Sequence, residues 1–208
     1  MEHRLIIAGI GPGSPDYILP AALTAIKAAT VLIGGGRALR TYAQPHQETF
    51  TVGSDIAGLI DYIQNKLLVS DVVVMVSGDP GYYSLLATLR DKAPAGTLRV
   101  IPGISSFQLA FARIGIPWQT ARLLSAHGRK PDAVLLGYEP GALLSFLTDG
   151  KNNPARIAGD LQEQGWPLSS CIWLCRNLSY EDEEILQTTL QETLCSSGFD
   201  SCVMVVKG

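Results

Sequence analysis

Apolar residues fall into short unbroken runs, separated by stretches whose apolar positions recur every three or four residues. Residues 5–10 form the first run, 30–33 the second, 71–76 with its Val-Val-Val-Met-Val the third, and 98–101 the fourth. Runs without polar alternation suit strands covered on both faces, as in a parallel sheet with crossover helices. Between them, Leu19, Leu23 and Ile26 share one face of a helix starting near Pro20. Ile56, Leu59, Ile60 and Ile63 line another, capped by Ser54 or Asp55. The Gly34-Gly35-Gly36 run stops the second strand, residues 82–92 read as helix, and Ser105 or Ser106 starts a helix through Arg113. After Gly115-Ile116-Pro117 the pattern loosens. Residues 143–148, 171–175 and 202–206 are candidate strands there, with candidate helices at 153–164 and 182–194. The expected fold class is α/β in two domains, 1–115 and 116–208, joined near residues 114–119.

Composition narrows the function. The 208 residues are 47% hydrophobic and 17% charged, enough apolar material for a core and too much for disorder. A net charge of −3 argues against a protein built to grip nucleic-acid backbone. Cys171, Cys175, Cys195 and Cys202 have no zinc spacing and read as reduced, mostly buried thiols. Met1-Glu2-His3-Arg4 leads straight into an apolar strand without a signal-peptide pattern, and no apolar run reaches the ~18 residues of a membrane span. The expectation is a cytoplasmic protein with no membrane and no bound metal.

Chemistry concentrates where strands end. Gly9-Ile10-Gly11-Pro12-Gly13, Ser77-Gly78-Asp79-Pro80 and Pro102-Gly103-Ile104-Ser105-Ser106 each leave a predicted strand. That is where open α/β sheets bind ligands. Glycine admits close backbone approach and proline fixes loop shape. The first loop is not a dinucleotide fingerprint: Ser14 stands at the third glycine position, and Pro12 removes a donor that a pyrophosphate needs. Asp79 has two readings, a cap for the helix near Tyr82 or a carboxylate acceptor for a ligand. His3 and His46 read as surface residues, whereas His127 stands in the basic stretch Ser125-Ala126-His127-Gly128-Arg129-Lys130, either an anion site or a solvated turn. Arg37 and Arg40 follow the triple glycine. No nucleophile triad or paired-carboxylate pattern stands out, which points to catalysis by positioning.

Together, the three loops resemble those of the tetrapyrrole (class III) methyltransferase family, whose members bind S-adenosylmethionine between two α/β domains. Within the family the chain is most similar to the cobalamin-pathway branch that methylates C5 of the macrocycle. Residues 112–118 (Ala-Arg-Ile-Gly-Ile-Pro-Trp), 125–129, 147–149, 153–158 and Asn177-Leu178-Ser179 carry that likeness, which spans essentially the whole chain. The length leaves no room for the C15-methylating, decarboxylating module found in fused relatives. Gly81-Tyr82-Tyr83-Ser84 departs from the Phe-Tyr-Gly usual after the second loop.

The resemblance implies a cofactor site from Pro12, Gly78, Asp79, Tyr82, Ser105 and Ser106, closed by Leu147, Thr148 and Leu178. It also implies an anionic precorrin or cobalt-precorrin substrate, for which Arg37, Arg40, Arg113, His127, Arg129 and Lys130 are the available partners. His127 is the candidate titrating group, with no general base assigned. The product cofactor would be S-adenosylhomocysteine. A homodimer is expected, with a separate C15-methylating, decarboxylating enzyme as a possible partner and no nucleic acid. Competing readings are a same-fold methyltransferase acting on rRNA ribose or the diphthamide precursor, a nicotinamide-dependent oxidoreductase, and a non-catalytic module that keeps the cofactor pocket but lacks the basic rim.

Overall fold

The computed structural model describes residues 3–94 and 96–208, so the Met1-Glu2 part of the N-terminal expectation lies outside the described residues. The backbone divides into two units, one ending at Ser105 and the other beginning at Ser106.

In the first unit β1 (Leu5–Gly9), α1 (Pro20–Ala28), β2 (Val31–Gly34), α2 (Gly36–Tyr42), β3 (Glu48–Thr51), α3 (Ile56–Lys66), β4 (Val72–Val76), α4 (Leu86–Leu89) and β5 (Leu98–Ile101) alternate. The strands form one sheet in the order β3-β2-β4-β1-β5, every pairing parallel. β4 lies centrally, and its side chains divide between two cores. Val72, Val74 and Val76 pack with Leu5, Ile7 and the α3 residues Leu59 and Ile63, while Val73 and Met75 pack with Ala8, Leu32 and the α1 residues Ala22 and Ile26. Burial on both faces is why this run needs no polar positions. Asp55 caps α3 as expected, its carboxylate accepting from the Gly58 N–H at 2.9 Å.

Three local expectations change. α1 buries Ala22 and Ile26, whereas Leu19 and Leu23 are only half-buried. The helix expected at 82–92 contracts to Leu86–Leu89, because Tyr83 has φ 46°, a conformation no α-helix accommodates. Conversely, α2 begins within the triple glycine. Ala38, Leu39 and Tyr42 pack against the sheet core, and tertiary burial outweighs glycine's low helix propensity.

The second unit contains α5 (Ser106–Ile114), β6 (Arg122–Ser125), β7 (Leu143–Leu147), α6 (Pro154–Glu163), β8 (Cys171–Arg176), β9 (Glu184–Thr189), α7 (Leu190–Thr193) and β10 (Val203–Lys207). Its sheet runs β6-β7-β10-β8-β9, with β6 parallel to β7 and the other pairings antiparallel. Leu144, Phe146, Ile172, Leu174, Met204 and Val206 form one face of the core with Ile157 and Leu161 of α6. α5 buries Phe107, Ala110 and Phe111 and runs against β7 and β10. It therefore groups with the second unit, and the division falls at 105/106, ahead of the junction expected at 114–119.

The helix expected at 182–194 is mostly strand. Ile185, Thr188 and Thr189 favour a pleated backbone, and Leu174 and Leu186 face each other across the β8–β9 pair. Only α7 remains helical, closed by a capping box of Thr189 and Glu192. The four thiols are unbridged; Cys175 and Cys202 are buried, Cys171 half-buried and Cys195 exposed. Burial pushes the Cys175 thiol up to about 12 and the Cys202 thiol up to about 11. Among the described residues no helix is long and apolar enough to cross a membrane.

Candidate functional site

In the first unit all strands point the same way, so the loops after β1, β4 and β5 leave one edge of the sheet from adjacent positions. β1 sends its connection back toward β2, and β4 sends its connection forward to β5. Neighbouring strands whose connections diverge open a crevice at their carboxyl ends. The loops meet there backbone to backbone. A Cβ on Gly9 would lie 2.6 Å from the Gly78 carbonyl oxygen and 2.7 Å from the Gly103 nitrogen. A Cβ on Gly103 would overlap that same carbonyl oxygen. Gly78 has φ +68°, and its N–H donates to the Gly11 carbonyl oxygen at 2.8 Å. Only glycine fits all these positions.

Asp79 joins two of the loops. Its Oδ1 accepts from the Gly81 N–H at 2.7 Å and its Oδ2 from the Gly103 N–H at 3.0 Å. The helix-cap reading of Asp79 is overturned, since no helix starts at Tyr82. Its carboxylate organises the loops from within. Pro12 and Tyr82 are half-buried beside this cluster and Ser105 is buried. Burial also drives the Tyr82 phenol far above its ordinary range. Ser106 opens α5 and belongs to the second unit. A pocket of about 420 Å³ lies along the same edge, lined by Gly35, Val52, Met75, Ser77, Tyr83 and Ser84 among others. Gly35 caps α2, whose Arg37 and Arg40 are exposed.

The second unit builds a comparable edge. β6, β7 and β8 run in one direction, with β10 antiparallel between β7 and β8. The segments at 126–130, 148–152 and 177–179 therefore leave the same edge. Thr148 is buried, and its hydroxyl lies 3.0 Å from the Asp200 carbonyl oxygen while accepting from the Cys202 N–H at 2.8 Å. Asp149 follows, a residue whose role the sequence did not disclose. Its carboxylate accepts from the N–H groups of Gly128 at 2.5 Å, Asn152 at 2.7 Å and Lys151 at 2.8 Å. Those donors, Gly128 first, hold its carboxyl down at about 2. His127 Nδ1 lies 3.4 Å from the Thr148 carbonyl oxygen. Leu147 is half-buried at the end of β7. Leu178 is buried just past β8, two strand spacings or about 9.5 Å from β7.

The expected cations are not equivalent. Arg113 is committed to Glu183, Nε to Oε1 at 2.6 Å, and Lys130 to Asp160 at 2.9 Å. Both pairs lie at the surface. Arg129 is exposed at the second unit's loop edge. Among the described residues no His/Cys/Asp/Glu cluster could hold a metal ion.

A family model described as Tetrapyrrole (Corrin/Porphyrin) Methylases matches residues 4–194. This chain belongs to that family. The methylase chain is 33% identical over 184 residues to the cobalt-precorrin-7 C(5)-methyltransferase of Salmonella typhimurium, covering 87% of this chain and 88% of that protein. Its fold matches the crystal structure of the precorrin-6Y methylase from Archaeoglobus fulgidus, with TM-score 0.76, 24% identity and coverage of 98% and 97% of the two chains. It also matches the Thermus thermophilus uroporphyrin-III C-methyl transferase complexed with S-adenosylhomocysteine, at TM-score 0.78 and 21% identity over 98% of this chain and 91% of that one.

Two outcomes test the methylase loops. Asp79→Asn keeps one acceptor oxygen and turns an NH2 toward a backbone N–H, leaving one loop donor unpaired. It is expected to lower stability by ~1–3 kcal/mol in urea denaturation, and unchanged stability would refute the clamp. The depressed Asp149 carboxyl contributes stability above its ordinary 3.8, lost as pH falls toward about 2. Wild-type melting temperature should therefore drop more steeply than that of Asp149→Asn across this acid window. Parallel slopes would remove Asp149 as the organiser of residues 148–152.

Proposed function

We propose that this chain is an S-adenosylmethionine-dependent C-methyltransferase of cobalamin biosynthesis, acting at C5 of a precorrin or cobalt-precorrin. The observation that carries the reading is the fused glycine cluster of Gly9, Gly78 and Gly103, clamped by Asp79 at the carboxyl ends of β1, β4 and β5. The C5-methyltransferase name of a relative that matches most of the chain supports the position methylated.

The donor set fits this cofactor. The three loops, residues 9–13, 77–81 and 102–105, offer backbone N–H and carbonyl groups, the hydroxyls of Ser77 and Ser105, and one carboxylate, with no cationic side chain. That set suits a positively charged sulfonium nucleoside. It does not suit a dinucleotide diphosphate, because Pro12 has no N–H to donate and Asp79 places negative charge among the loops. When bound, the cofactor supplies an electrophilic methyl group whose departure leaves a neutral thioether, so no acid is required.

The chain's own residues then supply position. Pro12, Gly78, Asp79, Tyr82 and Ser105 are the residues of the first unit that would hold the cofactor, and Ser106, Leu147, Thr148 and Leu178 those of the second. Holding the reacting carbons ~3–3.5 Å apart and aligned removes several kcal/mol of barrier. Arg37 and Arg40 beside the pocket of the first unit, and Arg129 of the second, attract the carboxylates of the macrocycle. His127 is the candidate proton acceptor. The reading also includes a cytoplasmic homodimer that hands its product to a separate C15-methylating, decarboxylating enzyme.

Matched metal-free and cobalt-loaded substrates, incubated with methyl-labelled S-adenosylmethionine, test the proposal by mass spectrometry and NMR. One label at C5 of at least one substrate is expected, with S-adenosylhomocysteine binding at micromolar concentration and NAD not binding. Label at another carbon, or tighter binding of NAD than of S-adenosylhomocysteine, would overturn it.

A further inference from the structure

Beyond β8 the backbone does something costly. Asn177 has φ 49° and Ser179 has φ 74°, both in the left-handed region that non-glycine residues rarely occupy. They flank Leu178, which is buried. Two neighbouring carboxylates hold the bend. Asp182 Oδ2 accepts from the Asn177 side-chain amide at 2.7 Å, and Glu183 Oε2 accepts from the Ser179 N–H at 2.6 Å. Glu183 is held in turn by Arg113 of α5, whose Nε donates to Oε1 at 2.6 Å and whose Nη2 lies 3.4 Å from Oε2. Arg113, ahead of β6, and residues 177–183, after β8, are far apart in sequence and joined through one carboxylate. Strained backbone persists only where the surroundings over-determine it. This pair supplies that constraint.

We infer that Arg113 and Glu183 form a positioning device for the methyl-donor site, latching the strained Asn177–Ser179 bend so that Leu178 keeps its place. Arg113 does not read a substrate carboxylate. The inference rests on the proposed cofactor role of Leu178.

The test compares Arg113→Ala, Arg113→Lys, Glu183→Ala and their Ala/Ala double variant with wild type. S-adenosylhomocysteine affinity is measured by calorimetry, and KM for cofactor and tetrapyrrole separately. Each alanine variant should weaken S-adenosylhomocysteine binding and raise cofactor KM about tenfold, with tetrapyrrole KM within twofold. Because the two residues act as a unit, the double variant should lose no more than the single ones. Arg113→Lys, which keeps the charge and one donor, should stay within about threefold of wild type and covers the case of an alanine variant that fails to fold. Wild-type cofactor affinity in Arg113→Ala and Glu183→Ala, fully additive losses, or a rise confined to tetrapyrrole KM would each overturn the latch. Failure of wild type itself to bind S-adenosylhomocysteine would instead overturn the reading of the site.

Discussion

The contact on which the site depends is between main chains. Gly9, Gly78 and Gly103 approach one another so closely that a methyl group on Gly9 or Gly103 would collide with backbone, which cannot swing aside as a side chain can. Three loops from three adjacent parallel strands are thereby held as one surface. The sheet makes this possible: β4, β1 and β5 are neighbours in register, so their ends emerge together. The hydrophobic β4 run, buried on both faces, lies beside β1 at the centre of that sheet.

Carboxylates finish what the glycines begin. Asp79 ties the second loop to the third, Asp149 gathers three N–H groups after β7, and Glu183 holds Ser179 after β8. Each accepts backbone donors that a loop at a strand end leaves without a ladder partner. These three acidic side chains serve local architecture. Their charge is met by backbone donors and, at Glu183, by Arg113.

Much of this was legible in the chain. The buried strands of the parallel sheet announce themselves as unbroken aliphatic runs, and the three glycine loops follow them directly. What escaped did so for physical reasons. α2 hides behind three glycines because its stability comes from packing and not from propensity. β9 escaped because residues 182–194 read as one helix, whereas Ile185, Thr188 and Thr189 pair with β8 as a strand. The residue types at 113 and 130 signalled anion binding, but their ion pairs with Glu183 and Asp160 join residues distant in sequence and leave no local trace. Asp79 read as a helix cap or a ligand acceptor, and its partners Gly81 and Gly103 make it a clamp between two loops, a role that joins residues 24 apart and leaves no local trace.

The central claim is that the clamped glycine cluster is the cofactor surface. Backbone amide NMR on the isotope-labelled 22.3 kDa chain measures it most directly, by titration with S-adenosylhomocysteine. The account predicts that the largest shifts in the first unit fall on the amides of Gly11, Gly78, Gly81 and Ser105, and that NAD produces none there. Shifts confined to amides away from the carboxyl ends of β1, β4 and β5, with these glycines unmoved at saturation, would contradict it.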